Sequence, residues 1–284
     1  MRKMKNSLTY IKKHPLSAFI RFLVYFFCAV GILSVLAMVV YIVVKGVPNL
    51  NADLFAFEYT SENVSMLPAI FNTVTVVFFT LLIAVPVGVF SSVYLVEYAK
   101  PGSKFAEFVG LTSETLAGIP SIVYGLFGFI VFVNNAKAGN SMIAGILTLA
   151  IMVLPLIMRT SQEALQSVPL SYREGSYALG AGKLRTIFKV VLKSAAPSIM
   201  SGIILSVGRI VGETAALIYT AGTIPKLATN LMSSGRTLSV HMYSLMSEGL
   251  HMEEAYAAAV VLLVMVIIIN IFSNLIVKKA EKNE

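Results

Sequence analysis

The sequence predicts an all-α polytopic membrane protein that crosses the bilayer six times. Of its 284 residues, 57% are hydrophobic and 13% are charged, and the mean hydropathy of +0.83 excludes a soluble enzyme of this size. About 20 apolar residues, each rising about 1.5 Å, span a hydrocarbon core of about 30 Å. Five stretches without Asp, Glu, Lys or Arg reach that length, at residues 22–44, 63–96, 115–136, 138–158 and 255–277. A sixth stretch, residues 194–225, is interrupted only by Arg209 and Glu213.

Basic residues are distributed unevenly between the two sides of this predicted bundle. With the N-terminus in the cytoplasm, 17 of the 22 Lys and Arg residues lie on the inner side and four on the outer side. The outer four are Lys45, Lys137, Lys226 and Arg236. The positive-inside rule therefore predicts that both termini are cytoplasmic, with a basic N-terminus at residues 1–21 and a single membrane domain at residues 22–284. Because this topology explains the net charge of +8, we expect no nucleic-acid partner.

The first two spans are predicted at residues 22–44 and 70–96. The first follows a basic run, but its uncharged core is too long for a signal peptide and no small-residue cleavage site follows it. It contains Cys28, the single cysteine, so neither an intramolecular disulfide nor a cysteine-based metal site can form. Pro86 predicts a kink in the second span. Between the two spans, residues 45–67 are long enough to cap the outer face.

The third and fourth spans are predicted at residues 115–136 and 141–158. Gly118 and Pro120 stand near the start of the third span, which indicates a broken or closely packed helix. The fourth span is followed by the longest polar stretch on the inner side, residues 163–197. The pattern there predicts two short helices separated by a glycine-rich turn.

The fifth and sixth spans are predicted at residues 198–220 and 255–277. Between them, residues 221–254 have too few apolar residues in register to cross a membrane. We expect this segment to lie across the outer surface and to be in part re-entrant.

Arg209 and Glu213 lie near the middle of the fifth span, where a charged side chain costs about 2.5–3.5 kcal/mol. Their i, i+4 spacing predicts that they share one helix face and can form an ion pair. Because charges within membranes generally face a cavity or the bundle interior, we favour a substrate path over a purely structural pair. Gly208 and Gly212 form a GxxxG pattern in the same span, which predicts close helix packing.

Patterns that would support catalysis or metal binding are missing from the sequence. No G-x-x-x-x-G-K-[ST] occurs, so the chain does not cradle ATP phosphates and we expect it to bind no cofactor. His14, His241 and His251 are scattered without metal-ligand spacing, so we expect no metal site and favour solvated histidines. No metalloprotease or serine hydrolase pattern is present, so we do not expect an enzyme.

The inner segment resembles the cytoplasmic loop of the membrane permeases of ABC importers. That family carries the pattern EAA-x3-G-x9-I-x-L-P. Here Glu174-Gly175-Ser176 is followed at the family spacing by Gly180, Val190 and Leu192, whereas Lys193 stands in place of the proline. The resemblance implies that this loop forms coupling helices docked on an ATP-hydrolysing subunit. The residues assigned to this contact are Arg173, Glu174, Gly175, Ser176 and Gly180.

Three further blocks resemble the permeases of phosphate importers, namely residues 94–99, 118–128 and 212–215. A motif within residues 239–249 is more similar to the PstA type than to its partner, PstC. The resemblance implies the type I ABC importer permease fold in the lipid of a prokaryotic plasma (inner) membrane. It also implies a PstB-like ATPase dimer that uses ATP and Mg, a PstC-like second permease and an external PstS-like phosphate-binding protein. In such permeases the residues at Arg209 and Glu213 are implicated in phosphate passage.

Three alternatives remain open from the sequence. One is an ABC permease for another oxyanion, such as sulfate or molybdate. Another is an ion-coupled secondary transporter that needs no ATPase and relays a proton through Arg209 and Glu213. The third is a membrane scaffold or sensor whose residues 221–254 bind a partner without transport.

Overall fold

The structure, a computed structural model, describes residues 15–100 and 102–282. Its helices are α1 (Pro15–Gly46), α2 (Leu67–Tyr98), α3 (Lys104–Ala117), α4 (Ser121–Asn135), α5 (Met142–Gln166), α6 (Leu170–Ala178), α7 (Lys183–Val211), α8 (Ala215–Thr220), α9 (Leu238–Glu248) and α10 (Met252–Lys282). No strand occurs within the described ranges, so the all-α prediction is confirmed. Most of the predicted basic N-terminus, including His14, lies outside the described residues.

Five helices are long and apolar enough to cross a membrane: α1, α2, α5, α7 and α10. A sixth crossing is obtained when α3 and α4, which are bent by 106° relative to each other, are counted as one span. Their break lies at Gly118 to Pro120, because a proline has no backbone N–H and disfavours helical backbone at the residue before it. The six-span fold is confirmed, and the span predicted at residues 115–136 is a broken one.

The predicted fifth span, residues 198–220, differs most from the observed helix. The start was expected after Pro197, but Pro197 lies inside α7, since membrane helices tolerate the loss of one backbone donor. α7 begins at Lys183, so the second helix expected in the inner loop and the fifth span are one continuous helix. At the other end α7 stops at Val211, and α8 follows as a separate short helix.

α5 is the central helix of the bundle and packs against α2, α4, α7 and α8. Its apolar residues cover nearly the whole circumference, a pattern typical of a helix surrounded by others, and Ile146, Leu149 and Ile157 are fully buried. By contrast, α1 packs mainly on α10, and its apolar surface, including Cys28, is exposed to the surroundings of the bundle.

Two outer segments cover one end of the bundle. Residues 47–66, called the outer cap below, pack with α9 and α10 through the buried side chains of Leu54 and Met66. Residues 221–237 are held by Asn72 of α2, whose amide nitrogen donates to the carbonyl oxygens of Lys226 and Arg236 at 2.9 and 3.1 Å. These contacts fix the position of the chain just before α9.

Candidate functional site

The helix expected to carry both Arg209 and Glu213 is broken between them. α7 ends before residues 212–214, which are non-helical, and α8 begins after them. The Glu213 carboxylate accepts a hydrogen bond from the backbone nitrogen of Ala216 at 3.1 Å and thereby caps the start of α8. The Glu213 carbonyl oxygen accepts a second bond, of 2.7 Å, from the Ser239 hydroxyl. Glu213 is therefore buried and fixed through both its backbone and its side chain.

Arg209 lies in the last turn of α7 and is exposed. Among the described residues the ion pairs are Arg159–Glu163, Arg173–Glu97 and His251–Glu254, so Arg209 and Glu213 do not form the expected pair. The prediction of a shared helix face is wrong, because the backbone leaves the helix before Glu213 and its carboxylate turns to α8. The positive charge of Arg209 is instead placed at the C-terminus of α7, where the helix dipole stabilises a cation.

Arg209 lines an open cleft of about 730 Å³ between α5, α7 and α10. A second cleft, of about 400 Å³, shares Ser201 and Leu205 with the first and runs along α5 and α7. The uncharged polar side chains are Ser201, Asn270 and Asn274 in the first cleft and Thr160, Ser167 and Ser198 in the second. Because Ser167 directly follows α5 and lies within the predicted cytoplasmic segment 163–197, the two clefts form one groove that leads from Arg209 towards the inner side, with a mainly apolar lining. We call it the Arg209 groove.

Gly208 and Gly212 do not make the helix packing predicted from their GxxxG spacing. A methyl group added at Gly208 would meet nothing within 4 Å, and one at Gly212 would meet only the Gly208 carbonyl of the same helix. Gly208 instead lines the Arg209 groove. The close approach on α7 is at Gly202, where an added methyl would collide with Thr160 of α5.

The inner loop forms a hairpin of α6 and the first turns of α7, called the coupling hairpin below. Gly180 lies in its turn with φ +80°, a left-handed conformation that favours glycine. The hydroxyls of Ser176 and Thr186 are hydrogen-bonded at 2.9 Å and join the two arms. Glu174 and Gly175 are exposed, as a contact with another subunit requires.

Arg173 differs from the other residues assigned to the ATPase contact because its side chain points back into the protein. Its guanidinium pairs with Glu97 of α2 and donates to the carbonyl oxygens of Leu165 and Val168. With 13% of its side chain exposed, Arg173 is placed to hold the hairpin rather than to present its charge to a partner.

The outer side contains a buried polar cluster that the sequence pattern does not predict. Arg236 and His241 are 3% and 1% exposed, and the Tyr59 ring touches both. The expectation of a solvated His241 is therefore wrong, because α9 packs into the bundle, whereas His251 is partly exposed next to Glu254. Burial lowers the pKa of the Arg236 guanidinium, and the neighbouring Tyr59 and Glu248 partly oppose that effect.

Metal binding finds no support in the described part of the chain. No group of three or more His, Cys, Asp or Glu side chains within residues 15–100 and 102–282 is arranged to hold a metal ion.

Comparison with known sequences places this arrangement in a family. Residues 84–283 match the family described as "Binding-protein-dependent transport system inner membrane component". The chain belongs to this family. It is the permease component of an ABC importer, a multi-pass protein of the inner membrane.

Individual relatives agree with this assignment. The permease is 34% identical to the "Probable ABC transporter permease protein YqgI" of Bacillus subtilis (strain 168), an alignment covering 90% of this chain and 95% of the relative. It is 31% identical to the "Phosphate transport system permease protein PstA" of Haemophilus influenzae (strain ATCC 51907 / DSM 11121 / KW20 / Rd), over 82% of this chain and 84% of that protein. The crystal structure of a bacterial ABC transporter that imports the acidic polysaccharide alginate contains a similar chain. Its TM-score is 0.66 at 17% identity, covering 96% of this permease and 99% of that chain, and it supports the type I permease fold.

The family also accounts for the general plan of partners. An ABC importer permease works with a separate ATPase, a second permease and a substrate-binding protein. In this permease the second arm of the coupling hairpin and Arg209 belong to one helix, since α7 extends from Lys183 to Val211 and includes a π-helical stretch at Ile187–Val191. The residues expected to contact the ATPase lie on α6 and in the following turn, and the Ser176–Thr186 hydrogen bond connects them to α7 and so to the Arg209 groove.

Proposed function

We propose that this chain is the PstA-type permease subunit of an ATP-driven importer of inorganic phosphate. The observation that carries the proposal is the exposed guanidinium of Arg209 at the head of a mainly apolar groove that contains a few neutral polar side chains. A buried or membrane-embedded cation needs a compensating partner, and Arg209 has no ion pair among the described residues. A transported anion would supply that partner in each cycle.

The chemistry of the first cleft suits a tetrahedral oxyanion, whereas the second cleft, nearer the inner side, is also lined by the Glu163 carboxylate. The planar guanidinium offers several N–H donors and can bind two oxygens of one phosphate at once, replacing part of the lost hydration. The remaining polar groups of the first cleft, Ser201, Asn270 and Asn274, are neutral hydroxyls and amides. They can hydrogen-bond to the anion without adding charge, so that it is held weakly enough to leave.

Glu213 has a positioning role in this proposal. By capping α8, its carboxylate holds open the break at residues 212–214 and keeps itself away from Arg209. An anion approaching Arg209 then does not have to displace a carboxylate first.

Transport would follow alternating access between outward-open and inward-open states. A PstB-like ATPase dimer, using ATP and Mg, would move the coupling hairpin. Because α7 has 29 residues in one helix, with a π-helical stretch at Ile187–Val191 and Pro197 within it, such a movement would be carried along α7 to Arg209 near its far end. A PstC-like permease would supply the other wall of the path, and a PstS-like protein would deliver phosphate from outside.

Labelled phosphate uptake by the complete complex in liposomes tests the proposal. Arg209→Gln should reduce uptake roughly 10- to 100-fold, the effect of losing a charge-assisted hydrogen bond of about 1.5–3 kcal/mol. Uptake by Arg209→Lys should lie between that of the wild type and that of Arg209→Gln, since lysine retains the charge but lacks the planar guanidinium. Lys137→Gln removes an exposed cation outside the groove and should transport normally.

The same assay distinguishes the alternatives. Uptake by the Arg209→Gln complex at the normal rate, with assembly verified, would rule out the role of Arg209. If sulfate or molybdate inhibits uptake as strongly as unlabelled phosphate does, the substrate is not specifically phosphate, and a permease for another oxyanion is favoured. Uptake that persists without ATP on an ion gradient would contradict an ATP-driven importer.

A further inference from the structure

Arg236 is a buried arginine whose guanidinium is incompletely bonded. It is 3% exposed, and its Nε and Nη2 atoms have no hydrogen-bond partner among the described residues. Its Cζ lies 4.7 Å from the centre of the Tyr59 ring, a cation–π contact that replaces only part of its hydration. Glu248 attracts it electrostatically but forms no ion pair with it. A buried guanidinium keeps its charge and needs a compensating partner, which a bound anion would supply.

His241 is a second buried group of the same cluster. It is 1% exposed, and neither Nδ1 nor Nε2 has a hydrogen-bond partner in the described part of the chain. Its ring stands edge-on to Tyr59, with 6.3 Å between the centroids. Burial, followed by the positive charge of Arg236, lowers the pKa of His241 to about 3. The imidazole is therefore neutral at physiological pH and carries one donor and one acceptor nitrogen.

The outer cap closes over this pair. Tyr59 belongs to the cap, and so does Val64, whose backbone lies near the His241 imidazole and partly opposes the lowering of its pKa, although no hydrogen bond of standard geometry joins the two residues. Val64 has φ +39°, in the left-handed region that a β-branched residue rarely adopts. Strained backbone of this kind is concentrated at active sites, ligand clamps and switch regions. The strained residue of the cap is therefore one of the residues that cover the pair.

Hydrogen bonds connect the cluster to the break in the fifth span. The chain between Arg236 and His241 starts α9, and the Thr237 hydroxyl lies 3.1 Å from that of Ser239. Ser239 in turn donates to the Glu213 carbonyl oxygen at 2.7 Å. Arg236 and His241 are therefore anchored to the segment that follows Arg209, on its outer side.

We propose that Arg236, His241 and Tyr59 form a second oxyanion site, which receives a protonated oxyanion on the outer side before it reaches Arg209. The guanidinium donors bind its negatively charged oxygens. One ring nitrogen of His241 faces the anion and, as the acceptor nitrogen of the neutral imidazole, accepts a hydrogen bond from a P–OH group. Inorganic phosphate has such a proton at neutral pH and sulfate has none, so the site favours phosphate. This identity of the anion rests on the proposed function; the site itself does not.

The purified complex, assembled with its partner subunits but without the external binding protein, tests the site with inorganic phosphate as the probe and sulfate as the comparison. We expect phosphate to raise its apparent melting temperature more than sulfate does. With Arg236→Met, at least about tenfold more phosphate should be needed for the same rise in melting temperature. Without phosphate, the melting temperature of this variant should equal or exceed that of the wild type. His241→Leu should make phosphate and sulfate equal. Lys226→Gln, an exposed cation of the same segment, should behave as the wild type.

The outcomes separate this site from the Arg209 groove. A phosphate response of Arg236→Met equal to that of Lys226→Gln would overturn the site, whatever Arg209→Gln does to uptake. An equal response of the wild type to sulfate and phosphate would overturn the requirement for a protonated oxyanion. Loss of the response in Arg236→Met together with normal uptake by Arg209→Gln would support the outer site and refute the proposed path. If the complex with Arg236→Met does not assemble, Arg236→Lys is measured instead. It retains the charge but loses the planar guanidinium, so its phosphate response should also be weaker than that of Lys226→Gln.

Discussion

Arg173 and Glu97 form a buried ion pair that joins the coupling hairpin to α2, with 2.7 Å between Arg173 Nη2 and Glu97 Oε1. A second bond, from Arg173 Nε to the same oxygen, measures 3.1 Å. The guanidinium also donates to the Leu165 and Val168 carbonyl oxygens at the inner end of α5. One side chain thus connects α6 with the two helices that form much of the core, and a displacement of the hairpin is passed to both.

Breaking this pair should uncouple the hairpin and destabilise the protein. Arg173→Ala leaves Glu97 buried and uncompensated, and removing one partner of such a pair costs about 3–5 kcal/mol. We expect a lower apparent melting temperature of the complex and ATP hydrolysis that no longer responds to the loaded binding protein. Removing both charges, with Arg173→Met and Glu97→Gln, should restore much of the stability and little of the coupling.

The pair Arg159–Glu163 is a matched control for this prediction. Its nitrogen–oxygen distance is 3.1 Å, but its side chains are 70% and 65% exposed. An exposed i, i+4 pair contributes about 0.3–0.5 kcal/mol, so Arg159→Ala should change the melting temperature little. Equal losses in the two alanine variants would show that burial does not strengthen the Arg173 pair.

Glu174 lies beside Arg173 but faces outward, so its replacement should affect only the ATPase contact. Glu174→Lys reverses an exposed charge on the coupling hairpin. We expect the ATPase to be recovered poorly with the permease in mild detergent. The free energy of unfolding of the permease should stay within about 0.5 kcal/mol of the wild type, because most surface substitutions change it little. Glu253→Lys, an exposed reversal at the start of α10, should leave recovery intact. Normal recovery and coupling in Glu174→Lys would contradict the docking assignment.

The fold could be predicted from the sequence because lipid imposes one strong rule on it. Each apolar stretch of sufficient length has to be a helix, and the charge-free stretches located the crossings well. The errors lie where the backbone departs from a single helix. Hydropathy does not predict the break after Val211. The break depends on the hydrogen bond between the Glu213 carboxylate and the α8 backbone, which forms in place of an ion pair with Arg209. At the other end of this span the helix continues through Pro197, so it starts well before the predicted residue 198.

The sequence draws attention to individual candidate residues but does not predict how they are arranged. Arg209 is conspicuous as a charge in an apolar stretch, and Arg173 directly precedes the family pattern that begins at Glu174. Arg236 and Glu97 resemble ordinary loop charges at the ends of spans, and their burial depends on segments distant in the chain. Asn72, which fixes the chain before α9, is one polar residue in an apolar helix, and that is the signal that could have drawn attention to it.

Two glycines of α7 should respond differently to the same substitution. A methyl group at Gly202 would collide with the Thr160 side chain, so Gly202→Ala forces α7 away from α5. We expect a loss of about 1–3 kcal/mol, the usual effect of overpacking a core. At Gly208 the added methyl group meets nothing within 4 Å, and Gly208→Ala should be neutral or stabilise the helix by up to about 1 kcal/mol. Melting temperatures of the two variants, measured side by side, test this difference. A larger decrease in melting temperature for Gly208→Ala than for Gly202→Ala would indicate that Gly208 packs against another subunit.

Acid should destabilise the outer side of the permease through His241. Its pKa is about 3 in the folded protein and about 6.5 in an unfolded chain, so between these values the unfolded state binds the proton and folding excludes it. The free energy of unfolding contributed by this group is therefore complete above pH 6.5 and falls as the pH is lowered, by about 2 kcal/mol at pH 5. His241→Leu should remove this part of the slope in denaturant titrations between pH 8 and pH 5 in phosphate-free buffer. His251→Leu removes a partly exposed histidine beside Glu254 and should retain the slope. An unchanged slope in His241→Leu would show that the imidazole is accessible to protons in the folded state.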